Sequence, residues 1–195
     1  SEQIWIDPQI ITKEKLPTGF VDFNRPKYSW SKNIYDLMNA NTWFPNEINT
    51  STEKKNFNQL TENEQWIYKL TFANLSFLDS AQEEHLANFR QLANNRILKS
   101  TLTLQMMQEA NHSNSYAVLL DACGNSDEVF DLYKHNDALR TKNQKIAEQF
   151  SKYINGNSAD KMILSAMASI NLEGIYFLLG FGHIYIIGDK VPGAR

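Results

Sequence analysis

A helix start followed by a long apolar period constrains this chain more than any other feature. Thr61 and Glu64 stand three apart, a spacing at which each side chain satisfies the other's backbone amide at a helix N-terminus. The residues that follow set Trp66, Leu70, Ala73, Phe77 and Ser80 on one face, with Leu75, Leu78, Gln82 and Leu86 beside it. The pattern predicts a helix of about eight turns, ending near Asn94-Asn95. A second long helix is expected over Arg96 to Cys123, stopped by Gly124. A third opens at Ser126, carries Phe130, Tyr133, Leu139, Ile146, Phe150 and Ile154, and ends at Gly156. A fourth begins at Ser158 and runs through Met162, Leu164 and Met167 towards Gly188. Four long helices on short loops predict an all-α, antiparallel bundle. Eight glycines and five prolines in 195 residues leave too little punctuation for an all-β chain.

Ahead of the bundle, residues 1–29 hold Pro8, Pro17 and Pro26 and no sustained period, and they read as an extended arm wrapping the surface. Helical patterning starts near Trp30 with Ile34, Leu37 and Met38, and pauses at Thr42-Trp43-Phe44-Pro45; the polar stretch 46–58 reads as a loop. Residues 30–195 then form one domain. With 19 Lys+Arg against 22 Asp+Glu the net charge is −3, which supplies no broad positive field, so no nucleic-acid partner is expected. Cys123 is the single cysteine, which excludes an intrachain disulfide, and the start Ser1-Glu2-Gln3-Ile4-Trp5 is not a secretory signal; both suit the cytoplasm. The uncharged run Gly174–Gly188 falls short of the roughly 20 apolar residues a membrane crossing needs, and reads as a buried helix with no membrane contact.

The chemistry concentrates in Glu109-Ala-Asn-His112-Ser-Asn-Ser-Tyr116. Spacings of three and four place Glu109, His112 and Tyr116 on nearly one helical face, which Met106, Leu119 and Leu120 turn inward. Asp79 interrupts the apolar run Leu75-Ser-Phe-Leu-Asp79, and Glu173 interrupts Ile170-Asn-Leu-Glu173-Gly-Ile-Tyr-Phe. Carboxylates buried without a partner cost several kcal/mol, and a metal ion removes that cost. Bundle di-metal sites take one carboxylate from each of two helices and Glu-x-x-His from each of two others; Asp79, Glu109, His112 and Glu173 are four of those six ligands. His85 and His135 stand in polar surroundings and read as solvated, His183 as a satisfied core group, and Glu83 and Glu84 as surface charges.

These segments resemble the radical-generating small subunit of class I ribonucleotide reductase, a ferritin-like di-metal family. The resemblance rests on Phe77-Leu-Asp79-Ser80, Glu109-x-x-His112-Ser-x-Ser-Tyr116 and Leu172-Glu173-x-Ile-x-Phe177-x-x-x-Phe181, and extends from about Trp30 onward. It implies a ferritin-like helical bundle in which Asp79, Glu109, His112 and Glu173 ligate a di-nuclear iron or manganese centre. It further implies that Tyr116 is oxidised to a radical, that Phe177 and Phe181 wall its pocket, and that Trp43 relays an electron. The implied partners are the large catalytic subunit and a second copy of the completed small subunit. The family's second Glu-x-x-His and its C-terminal tail have no counterpart up to Arg195. The bundle is therefore expected to be incomplete, truncated or split after Arg195 and lacking its C-terminal helices, and to need a separate C-terminal half. Two other readings share part of these residues: another ferritin-like oxidase or metal-storage bundle, and a non-catalytic helical scaffold.

Overall fold

A computed structural model describes residues 21–93, 95–124, 126–154 and 159–190. Among them the regular structure is helical throughout. Helix α1 spans Ser29–Ala40, followed by a 3-10 turn at Pro45–Glu47 and the short α2 at Glu53–Phe57. The long helices α3 (Glu62–Leu92) and α4 (Arg96–Cys123) come next, then α5 (Ser126–His135) and α6 (Asp137–Ile154). Helix α7 (Ala159–Asn171) passes through a π-helical turn at Leu172–Phe177 into α8 (Leu178–Gly188).

Local chemistry sets these boundaries. Thr61 Oγ1 accepts from the Glu64 amide at 3.4 Å while Glu64 Oε2 accepts from the Thr61 amide at 2.9 Å, so the expected reciprocal cap opens α3. Asn95 Oδ1 accepts from the Leu98 amide at 2.9 Å and starts α4. Gly124 ends α4 at φ 79°, in the left-handed region that glycine adopts without a Cβ penalty.

Helix α3 is the axis of the molecule. It lies antiparallel to α4, as contacts running in reverse order show: Arg90 with Thr103, Phe72 with Tyr116, Tyr68 with Cys123. The α7–α8 helix returns along another side, with His85 against Ser165, Gln82 against Ser169, and Gly180 against Leu75. A Cβ on Gly180 would sit 2.7 Å from Leu75 Cδ2, so glycine permits this close approach. Leu75 and Leu78, at the centre of the core, are fully buried. Helix α1 runs parallel to α4, joined by Thr101 Oγ1 to the Ser31 carbonyl at 3.3 Å.

Several expectations need correction. The buried face of α3 is the one through Tyr68, Phe72, Leu75, Leu78, Asp79, Gln82, His85 and Leu86, while Trp66 and Ser80 face solvent, because the helices packed around α3, from α4 to α8, decide which side is covered. Residues 46–58 are not simply a loop, since α2 inserts Phe57 into the core. The third helix is two helices, because Asn136 Oδ1 accepts from the Leu139 amide at 2.9 Å and starts α6 anew. Of the arm expected over 1–29, residues 1–20 lie outside the described ones; 21–28 precede α1 without helix.

The reading of Gly174–Gly188 as buried is wrong. Leu172, Phe177, Gly180 and Ile187 pack inward, but Ile175, Leu178, Leu179, Tyr185 and Ile186 are exposed. The helix is apolar all round, and its packing covers one side only. Counted from Asp160, it is long and apolar enough by length and composition to cross a membrane.

Candidate metal centre

The α3–α4 pairing brings Asp79 opposite Glu109 and His112. His112 Nδ1 lies 3.3 Å from Glu109 Oε2 and 3.6 Å from Asp79 Oδ1. One ligand-capable atom from each of the three falls within 4.8 Å of the others. Asp79 is 1% exposed and Glu109 4%, so neither acid is a surface charge. Both Asp79 oxygens are buried with no hydrogen-bond partner among the described residues, an arrangement that costs free energy unless a cation meets them.

The electrostatics fit that need. Burial pushes the Asp79 carboxyl upward against the pull of His112. His112 rises to about 10, first through its contacts with Asp79 and Glu109. Negative charge thus converges on the imidazole, where a proton or a metal ion can balance it. Two carboxylates and an imidazole are a donor set suited to iron or manganese, and the orphaned oxygens of Asp79 give such an ion a position to fill.

Glu173 stands apart from the three. It sits on the π-helical turn, a local geometry frequent at functional sites. One side of the residue is open to solvent, yet the packing around its carboxyl, followed by the charges of Glu109 and Asp79, raises it to about 7. It therefore shares the field of the cluster without joining its ligand contacts.

Tyr116, one turn beyond His112, is buried. Burial, then the charges of Asp79, Glu109 and Glu173, push its phenol upward, so the proton stays on at neutral pH. The Phe72 ring packs against it with centroids 5.6 Å apart. Phe177 belongs to the same core, whereas Phe181 is 41% exposed and its ring lies 6.1 Å from that of Phe177. Of the two phenylalanines expected to point inward, Phe177 does and Phe181 does not, because Phe181 falls on the uncovered side of α8. Trp43 stacks on His112, with ring centroids 5.6 Å apart and planes 25° from parallel.

The remaining histidines divide differently from expectation. His85 is buried, stacked on Phe150 with centroids 4.1 Å apart, and its Nε2 lies 3.1 Å from the Ser165 carbonyl. Its polar neighbours in sequence, Glu83 and Glu84, point elsewhere on the helix, so local polarity misleads. His183 is exposed and His135 is exposed. Sequence reasoning also missed Phe72 against Tyr116 and Gln82 beside Glu173. Helical spacing from Asp79, seven residues back and three forward, carries the signal for both.

Comparison with known proteins shows the family and the fold. Residues 20–190 match the family model for ribonucleotide reductase, small chain. The chain is 34% identical over 182 residues to the ribonucleoside-diphosphate reductase subunit beta of Treponema pallidum, covering 91% of this chain and 52% of that protein. It is 32% identical over 171 residues to the subunit beta of Halalkalibacterium halodurans, covering 86% and 50%. The chain therefore spans about half the length of these relatives. Among solved structures, the ribonucleotide reductase R2 subunit from Clostridium botulinum superposes with a TM-score of 0.82 at 32% identity, covering 88% of this chain and 55% of that one. The dimanganese(II)-NrdF of Streptococcus sanguinis superposes with a TM-score of 0.77 at 20% identity, a likeness of fold. With a helical fold, a converging carboxylate and imidazole cluster and a family match over most of its residues, this chain belongs to the ribonucleotide reductase small-chain family.

Proposed function

We propose that this chain is the N-terminal part of the metal-carrying, radical-generating subunit of ribonucleoside-diphosphate reductase, acting in the cytoplasm. One observation carries the reading: the oxygens of buried Asp79, which no hydrogen bond among the described residues satisfies, converge with Glu109 and His112, one turn before buried Tyr116. In this reading Asp79, Glu109 and His112 hold one ion, and Glu173 turns towards a second. A redox-active iron or manganese pair supplies the oxidising equivalent when bound. Tyr116 is the residue oxidised: its phenol, held protonated by burial and by neighbouring acids, gives up one electron and one proton. Phe72 and Phe177 keep water from the ring. Trp43, stacked on His112 and 39% exposed, passes an electron between the cluster and the large catalytic subunit, where ribonucleotides are reduced to deoxyribonucleotides.

Both the remaining ligands and a cover for the α7–α8 helix must come from outside these residues. We assign both to a C-terminal half carrying the second Glu-x-x-His. Its helices lie against Ile175, Leu178, Leu179 and Ile186, so that protein, not lipid, covers the helix. The completed subunit then pairs with a second copy.

The test loads the chain with Fe(II) or Mn(II) under argon and measures bound metal, then admits oxygen in the presence of a C-terminal half and records electron paramagnetic resonance. Metal bound by the wild type and lost in Glu109→Ala and His112→Ala is the expected result, with a tyrosyl signal that Tyr116→Phe abolishes. Metal content unaffected by either ligand substitution sinks the reading.

A further inference from the structure

Two amides on α4 hold the segment that carries Trp43. Gln108 Nε2 donates to the Met38 carbonyl at 3.0 Å and to Thr42 Oγ1 at 3.1 Å. Nearly one turn on, Asn111 Nδ2 donates to the carbonyl of Trp43 itself at 3.2 Å. These contacts engage the end of α1 and the residues just past it, where a helix leaves carbonyls without intrahelical partners. Gln108 and Asn111 immediately precede Glu109 and His112, so a single stretch of α4 presents ligands on one face and these amides on the next.

Packing alone does not hold the indole. Trp43 is 39% exposed, and a cavity of about 250 Å³ lies beside it, lined by Leu37, Met38, Gln108, Asn111 and His112 among others. The ring nevertheless lies over the His112 imidazole at 5.6 Å, nearly parallel. The Trp43 carbonyl is held by the Asn111 amide, and the residues just before it by the Gln108 amide.

We propose that Gln108 and Asn111 are positioning residues that clamp Trp43 onto His112 and thereby set the electronic contact between an exposed indole and the ligand cluster. The consequence for electron transfer rests on the relay reading of Trp43; the clamp itself does not. An indole free to swing away from His112 loses coupling to the cluster, because tunnelling contact falls steeply with separation. The clamp thus links the helix that builds the cluster to the residue through which electrons reach it.

Nuclear magnetic resonance on the full chain tests this directly. The Trp43 indole resonance is assigned by its disappearance in Trp43→Phe, and its Overhauser contact with the His112 ring protons reports the stack. Asn111→Leu and Gln108→Met keep the approximate shape and remove the donors. Each is expected to shift the closed-to-open ratio of the indole about fivefold, weakening the Overhauser contact and moving the resonance towards that of a solvated indole. Thr42→Val removes one acceptor, with a smaller effect in the same direction, and serves if either larger change prevents folding. Leu102→Ala, elsewhere on α4, is the control for general destabilisation: it lowers the melting temperature and leaves the Trp43 signals in place. Retention of the stack in all three clamp variants, or its equal loss in Leu102→Ala, overturns the proposal. Should Trp43→Phe leave turnover of the completed reductase intact, the relay reading fails while the clamp stands on its own measurements.

Discussion

The α3–α4 pair and the α7–α8 helix put their apolar side chains to opposite ends, although the second is the more apolar of the two. Along α3, Leu75 and Leu78 are fully buried, and the same packing places Asp79 against Glu109 and His112. Along α7–α8, Leu178, Leu179, Tyr185 and Ile186 stand exposed, and Glu173 on that helix reaches the cluster only through its field. The three clustered side chains lie where neighbours surround the helices on several sides. The fourth lies where they cover one side only. Convergence of these polar groups and closure of the core thus go together, because the helices that bury a face also bring the side chains that face it.

That contrast is broken most forcefully at Leu75. It is wholly enclosed, and Gly180 of α8 lies against it. Leu75→Ala leaves a cavity between α3 and α8, with an expected loss of about 2–5 kcal/mol in unfolding free energy by urea titration. A loss below about 1 kcal/mol would mean the α3–α8 contact packs no better than the exposed side of the same helix.

A smaller, pH-dependent effect separates the regions at His85, between α3 and α7. Burial holds its pKa below the ordinary 6.5 despite the hydrogen bond to Ser165, so the folded chain keeps the ring neutral. Unfolding lets it take up a proton; the stability tied to the neutral form is present above pH 6.5 and is lost as acidity increases through the depressed folded value. The slope from this one proton is at most about 1.4 kcal/mol per pH unit. Melting curves between about pH 7.5 and 5.5 should show His85→Gln losing less stability than the wild type. Parallel losses in the two proteins would mean that other groups carry the acid sensitivity.

How far the sequence spoke also differs between the regions. The cap at Thr61, the stop at Gly124 and the Glu109, His112, Tyr116 spacing are local, set within one or two helical turns, and a linear pattern holds that information. The choice of buried face on α3 is not local. It depends on which sides the helices from α4 to α8 occupy, so Trp66 reads as core and is exposed, while His85 reads as solvated and is buried. The break at Asn136 was written in the chain as an asparagine before an acidic first turn, but a continuous apolar period masked it. The π-helical turn under Glu173 left no pattern in the residue types, since one additional residue in a turn alters phase without altering composition.

The smallest effect is expected where the contrast is sharpest to the eye. Leu179 and Ile186 are each 64% exposed, so replacing both by serine removes little that the folded chain buries. The unfolding free energy of this chain alone should change by no more than about 0.5 kcal/mol for each substitution. Its self-association should fall, because a contiguous apolar face is a site of non-specific contact. Sedimentation velocity measures the second quantity and urea titration the first. On the proposed reading, addition of a C-terminal half inverts the order of effects: the double variant should then bind that half more weakly, since these side chains would form the interface. A double variant that loses stability alone, to the extent of Leu75→Ala, would show that the outer face already packs against something within the chain. The difference between the two regions would then be one of degree and not of missing neighbours.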